Sequence, residues 1–290
     1  MSPPPLLSPR RPAFRLLVLL LCLFATAASG ARGTASGVFE SRRAAVYQIR
    51  VVDIASGDKS AIGSGFLVAA GGLMATNFHV VSAYVLEPGK YRLEYVAHDG
   101  QTGALSLAAI DVVHDLALVR APIERSALAL HEGILAKGDR LYAMGNPHDL
   151  GMTIVEGTYN GDASISRYQK ILFSGSLNPG MSGGPAMTAA GEVMGVNVST
   201  GGEQLSFLVP VRFLAALIAE VRAGRAGGDW AAAITEALLR DQDAFYTALL
   251  AGPPASQPFG DFRLPGRLSD ALKCWGHTFD DPEEERYVAI

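Results

Sequence analysis

Short apolar or alternating runs recur along this chain in two groups of six, and few architectures accommodate that pattern. The first group occupies residues 45–52, 65–68, 73–76, 91–96, 104–113 and 116–119. Turn formers separate its members: Ser56-Gly57-Asp58, Glu87-Pro88-Gly89 and His98-Asp99-Gly100. The second group occupies residues 140–143, 152–159, 169–174, 184–187, 193–198 and 206–210, with Asn160-Gly161-Asp162 and Ala189-Ala190-Gly191 among its turns. Strands this short and this regularly punctuated read as antiparallel barrels or sandwiches. Beyond Val211 the period changes to that of a helix: Phe213, Leu214, Leu217, Ile218 and Val221 recur until Gly224 and Gly227-Gly228. Two further helices are expected, one carrying Trp230, Ile234, Leu238 and Leu239, the next Phe245, Leu249 and Leu250. Pro253-Pro254 ends that pattern, and Asp280, Asp281, Glu283, Glu284 and Glu285 mark a solvated tail.

Inside the second group, residues 178–185 read N-P-G-M-S-G-G-P. A serine between glycines sits on a backbone that turns sharply with no side chains in the way. Such a turn presents the Ser182 hydroxyl outward and aims neighbouring N–H groups at one point, the geometry of an activated serine beside an oxyanion hole. A tight structural turn satisfies the same octapeptide, since glycine serves any left-handed bend. Two upstream residues complete a constellation. His79 closes the apolar run L-M-A-T-N-F-H-V-V at 73–81, read as a strand that holds a general base by packing. Asp115 interrupts D-V-V-H-D-L-A-L-V at 111–119, and a carboxylate within an apolar run needs a partner such as a histidine N–H. The chain order His, Asp, Ser separates this arrangement from the two other common triad orders. His114 directly precedes Asp115, and strand alternation would turn it away from the site.

The chain resembles the trypsin-like serine proteases of the bacterial HtrA (Deg) group. The resemblance rests on G-S-G-F-L-V at 63–68, T-N-F-H-V-V at 76–81, D-L-A-L-V at 115–119, A-M-G-N-P at 143–147, N-P-G-M-S-G-G-P and F-L-V-P at 207–210, in the family's order. It implies an all-β, chymotrypsin-like double β-barrel with the site between the barrels, here with a short helical C-terminal extension. It implies His79 as general base, Asp115 as its orienting carboxylate, Ser182 as nucleophile, and the N–H groups of Gly180 and Ser182 as the oxyanion hole. Met181 stands where this group more often has Asn and the digestive proteases have Asp, so activation by a freed N-terminus is not expected. Ser176, Leu177, Asn197, Ser199 and Thr200 would line the pocket for the residue before the cut. Without Asp or Glu in those segments, a preference for Lys or Arg is not expected, and Leu177 favours Val, Ala or similar side chains.

Three domains are expected: a signal peptide over residues 1–30, the protease domain over 38–224, and a helical extension over 229–290. Arg10, Arg11 and Arg15 begin the chain, an uncharged apolar run of about 13 residues follows at 16–28, and small residues offer cleavage near Ala27 or Gly30. That run falls short of the ~20 residues that cross a bilayer, although an uncleaved anchor stays open as the other reading. Export to the periplasm, or secretion, follows. The extension is too short for the PDZ domain of the HtrA group, and docking onto the second barrel is expected.

Net charge is −4 over 290 residues and becomes about −7 without the three leader arginines, which argues against a nucleic-acid partner. Cys274 is the one cysteine left after signal removal, so no internal disulfide is expected. Patterns for metal or cofactor binding are absent from the sequence, and no cofactor is expected. Polypeptides are the expected partners, with no stable membrane insertion after signal cleavage. Two alternatives stay open: a pseudoprotease that binds unfolded chains without cutting, and a secreted protease of the glutamyl-endopeptidase kind.

Overall fold

The computed structural model describes residues 33–163, 167–202, 204–252, 256–266, 277–278 and 288–289. The expected signal segment, its cleavage sites, Cys274 and the acidic tail lie outside them. The first barrel comprises β1 (Val46–Asp53), β2 (Lys59–Ala69), β3 (Leu73–Thr76), β4 (Tyr91–Val96), β5 (Thr102–Asp111) and β6 (Leu116–Arg120). The second comprises β7 (Arg140–Gly145), β8 (Thr153–Asp162), β9 (Ile171–Phe173), β10 (Pro185–Met187), β11 (Val193–Gly202) and β12 (Leu205–Pro210). Both close, one in the order β1-β2-β3-β6-β5-β4 and the other as β7-β8-β9-β12-β11-β10. The strand order is therefore the same in both, and the chain builds one topology twice. Closure removes the edges that an open sheet would expose to other chains. This is the chymotrypsin-like double barrel that the resemblance implied.

Alternation along the strands decides which face each residue serves. On β7, Leu141 and Ala143 point into the second barrel and pack with Ile171, Phe173, Ala186 and Leu208. Tyr142 and Met144 point the other way and join Met187, Val196 and Val209 in the larger cluster that includes the first barrel's Ile49, Phe66 and Leu118. Both faces of β7 are thus buried, which is why its sequence reads as a continuous apolar run rather than an alternating one.

Helices clamp the two barrels. α1 (Ala35–Arg42), which the sequence did not announce, is capped by Thr34 Oγ1 on Gly37 N at 3.2 Å. α2 (Phe78–Leu86) follows β3, so the expected strand over 73–81 ends at Thr76 and His79 lies in the first turn of a helix. α3 (Val211–Arg222) buries Leu214, Leu217 and Ile218. Beyond it runs one helix, α4 (Trp230–Leu250), where two were expected. No Gly or Pro interrupts residues 230–250, and Asp229 Oδ1 caps its start by accepting from Ala231 N and Ala232 N.

α4 does not simply dock on the second barrel. It packs beside α2 of the first barrel, with Trp230 and Ile234 against the main core. From the second barrel, Arg167 and Tyr168 both bond Asp241 Oδ2, and the Arg167 guanidinium lies 4.2 Å from the Phe245 ring centroid. The helix therefore straddles the barrels. Its outer face leaves Leu239, Tyr246 and Leu250 exposed. No helix among the described residues is long and apolar enough to cross a membrane.

Candidate active site

Two successive β-turns build the segment around Ser182. Met181 N donates to Asn178 O at 3.0 Å, and Gly184 N donates to Met181 O at 3.1 Å. Each turn has glycine at its third position in the left-handed region, Gly180 at φ 95 and Gly183 at φ 83, as a type II turn requires. A β-carbon on Gly180 would sit 2.3 Å from Asn146 O, and one on Gly183 would sit 2.2 Å from Ser64 O. The glycines are required both by conformation and by the closeness of neighbouring backbone.

Every carbonyl from Asn178 to Ser182 is occupied. Pro179 O accepts from His148 N at 2.9 Å, Gly180 O from Ser64 Oγ at 2.7 Å, and Ser182 O from Ser64 N at 2.7 Å. Met181 O accepts a second bond, from Asn197 Nδ2 at 3.2 Å. The C=O and N–H of one peptide plane point in opposite directions. Fixing Pro179 O and Met181 O therefore also fixes the N–H groups of Gly180 and Ser182. No protein acceptor takes either of those N–H groups among the described residues. Met181 anchors the turn from below, fully buried with Leu141, Leu177 and Leu208.

Asp115 lies in the turn between β5 and β6, not inside a buried strand, and its φ of 58 is one that Asp tolerates better than most residues. Asn77 Nδ2 holds its carbonyl at 2.9 Å. The carboxylate accepts twice from His79: Oδ1 from the backbone N at 2.9 Å, and Oδ2 pairs with Nδ1 at 2.7 Å. An ionised carboxylate has no proton to give, so the histidine Nδ1 carries the hydrogen and the Nε2 lone pair is left free. About half of the His79 side chain remains accessible, at 48%.

The Ser182 hydroxyl donates to Val198 O at 3.1 Å. That carbonyl is available because the β11–β12 register shifts between Asn197 and Ser199, leaving Val198 as a bulge residue outside the ladder. The hydroxyl proton thus rests on Val198 O and must leave that carbonyl before a base can take it.

Ser176 is exposed beside the turn. Leu177, expected to line a shallow pocket, is 7% exposed and belongs to the second barrel's core. Asn197 is wholly buried, and its amide serves Met144 O and Met181 O, so it braces the turn instead of facing an open pocket. Ser199 and Thr200 lie on β11, with side chains outside the described residues. His114 does face away from Asp115, but for a reason other than strand alternation. It lies in the turn, where Nδ1 pairs with Asp111 Oδ2 at 2.7 Å and the ring stacks on Phe213 with centroids 3.8 Å apart.

Sequence reasoning passed over Ser64, Asn77 and the pair His148-Asp149. A polar residue between glycines inside an apolar strand was the available signal for Ser64. For Asp149 there was none, because its partners are remote in sequence. Lys59 and Gln48, from the first barrel, hold the Asp149 carboxyl down to about 2, Lys59 being the larger cause.

Residues 63–196 match the family model for a trypsin-like peptidase domain. Among curated proteins, human serine protease HTRA3 is 29% identical over 159 residues, covering 51% of this chain and 35% of that protein. The "Probable periplasmic serine endoprotease DegP-like" of Chlamydia trachomatis is 31% identical over 144 residues, covering 47% and 28%. The chain therefore spans about a third of the length of the curated relatives it matches. The solved structure of a serine endoprotease from Yersinia pestis superposes with a TM-score of 0.58 at 23% identity, over 66% of this chain and 68% of that one, a likeness of fold. Over residues 63–196 the chain is thus similar to trypsin-like peptidase domains, and over about half of its length it resembles serine proteases of the HtrA group.

Proposed function

We propose that this protein is a serine endopeptidase that cleaves polypeptides through an acyl-enzyme, with Ser182 as nucleophile, His79 as general base and Asp115 as the carboxylate that orients it. The observation that carries this reading is the pair of unspent N–H groups on Gly180 and Ser182, fixed in one turn with the serine hydroxyl. Nothing in a purely structural turn calls for two aligned donors without acceptors.

The chemistry follows from the groups in place. An extended substrate lying along β11 offers a backbone N–H to Val198 O, the acceptor that the Ser182 hydroxyl occupies at rest. Substrate binding thereby releases the hydroxyl toward His79. As Oγ attacks the scissile carbonyl carbon, its proton passes to Nε2, and the imidazolium is stabilised by Asp115 Oδ2 across the 2.7 Å bond. Negative charge on the former carbonyl oxygen is taken by the Gly180 and Ser182 N–H groups, whose orientation is set before the reaction. His79 then protonates the departing amine, and a water molecule repeats the sequence on the acyl-enzyme.

The leader's layout and the periplasmic name carried by the Chlamydia relative support action on exported polypeptides in the periplasm, as protein quality control. The absence of Asp and Glu from residues 176–177 and 197–201 supports cleavage after uncharged residues over cleavage after Lys or Arg.

The test is labelling with a fluorophosphonate together with hydrolysis of fluorescent casein. Wild type is expected to label and to cleave, whereas Ser182→Ala does neither and melts within about 2 °C of wild type, because only one half-buried hydroxyl is removed. Labelling of the alanine variant would show that the nucleophile lies elsewhere.

A further inference from the structure

Three side chains of the first barrel converge on one carboxylate of the second. Gln48 Nε2 donates to Asp149 Oδ1 at 2.8 Å, Arg50 Nη2 reaches the same oxygen at 3.3 Å, and Lys59 Nζ pairs with Oδ2. Alternation on β1 places Gln48 and Arg50 on a single face, and Lys59 enters beside them because β2 pairs it with Val52. The carboxylate they grip belongs to a strained segment. His148 (φ 50) and Asp149 (φ 60) are consecutive non-glycine residues in the left-handed region, a conformation that persists only where the surroundings over-determine it.

What this strained segment delivers is one hydrogen bond, His148 N to Pro179 O at 2.9 Å. Pro179–Gly180 is the central peptide of the turn from Asn178 to Met181. Type I and type II turns differ by turning over that central peptide. Proline at the second position and glycine at the third are compatible with both. The turn's own sequence therefore leans toward the N–H of Gly180 that faces the hole but does not by itself exclude the one that faces away. The bond to Pro179 O holds the peptide in the first orientation.

We propose that Asp149 is a positioning residue for the oxyanion hole: gripped by Lys59, Gln48 and Arg50, it fixes the His148 N–H that keeps the Pro179–Gly180 peptide from turning over. This rests on the reading of Ser182 given above. It also gives the contact between barrels a catalytic consequence. The hole lies wholly on the second barrel, yet its orientation depends on side chains of the first, so only the correctly paired barrels make a competent site. A recess of about 340 Å³ runs beside this contact, lined by Lys59, Ser60, Ile62, His148, Pro179 and Gly180, so the clamp forms one wall of the space next to the hole.

The test measures the full chain on a fluorogenic peptide with valine before the scissile bond, and measures its inhibition by a peptidyl boronate of the same sequence. Asp149→Asn is expected to lower kcat by about 10- to 100-fold, short of the loss on deleting a hole donor outright. KM should stay within about two-fold, and boronate affinity should fall by the same factor as kcat, because the boronate oxygen occupies the hole. Lys59→Gln should act in the same direction, and the double variant should be no worse than Asp149→Asn alone, since both act through one contact. Arg225→Gln, which breaks the Arg225–Glu220 pair far from the turn, should leave kcat unchanged. If Asp149→Asn fails to fold, Lys59→Gln carries the same test from a more exposed position.

A clamp that only glues the barrels together would lower the melting temperature and leave kcat and boronate affinity at wild-type values in the folded protein. That result overturns the inference while leaving the Ser182 reading intact. An unlabelled, inactive wild type overturns both.

Discussion

Replacing Gly183 by alanine puts the geometry of the serine turn under direct strain. The new methyl group would lie 2.2 Å from Ser64 O, 2.3 Å from Thr76 Oγ1 and 3.0 Å from Asn77 N. Ordinary contact needs about 1 Å more, so β2 and the start of α2 must retreat. Holding alanine at φ 83 costs ~1–2 kcal/mol, and forcing a methylene into packed backbone costs ~1–3 kcal/mol more. A total of ~3 kcal/mol lowers the melting temperature of a domain of this size by about 6–12 °C. Function should suffer more than stability. Ser64 supplies the bonds to both Gly180 O and Ser182 O, so its displacement loosens the peptides on either side of Ser182 and should lower kcat by at least ~10². Gly57→Ala is the matched control. It has a similar φ of 79 with nothing within 4 Å of the added carbon, so it bears the backbone strain without the clash. Calorimetry and casein hydrolysis on the two variants separate the terms. If Gly183→Ala melts no lower than Gly57→Ala and cleaves at the wild-type rate, the close approach of β2 to the serine turn is not what fixes the site.

Two more outcomes test other parts of the structure. Asp115→Asn should fold normally, since Asn also tolerates a positive φ, but its amide would donate to His79 Nδ1 and force the proton onto Nε2, lowering kcat by on the order of 10⁴ at unchanged melting temperature. Asp111→Asn should do the reverse, lowering the melting temperature through the lost grip on His114 while keeping kcat within about 10-fold, and a larger loss at Asp111 than at Asp115 would reassign the acid. Deleting residues 229–290 removes Trp230, Ile234 and the Asp241 contacts, and is expected to cost ~2–3 kcal/mol and about 5–10 °C while fluorophosphonate labelling persists; melting identical to the full chain would make α4 an appendage.

Much of the fold could be read from turn residues and periodicity. β4 starts and stops where its sequence predicts, and the helical repeat from Phe213 to Val221 marks the interior of α3. The failures share a cause. His79 was read into a strand because F-H-V-V is apolar throughout, and an apolar run does not reveal its period. The same ambiguity divided α4 into two pieces, although nothing in its sequence breaks it.

The candidate site divides along the same line. Sequence alone determined which residues have the chemistry: a serine flanked by glycines, a histidine, a carboxylate, and the order in which they occur. It did so because bond-forming groups and left-handed turns demand particular residue types at particular neighbouring positions. Only the tertiary structure decided what orients them. Ser64 is 116 residues from the Gly180 carbonyl it holds, and Gln48 is 101 from the carboxylate it grips. Asn197, which the sequence placed in a substrate pocket, is turned inward to brace Met181. Contacts of that range are set by the closure of two barrels against each other. No local pattern encodes them, because the residues on one end of each bond have no periodic or compositional relation to those on the other.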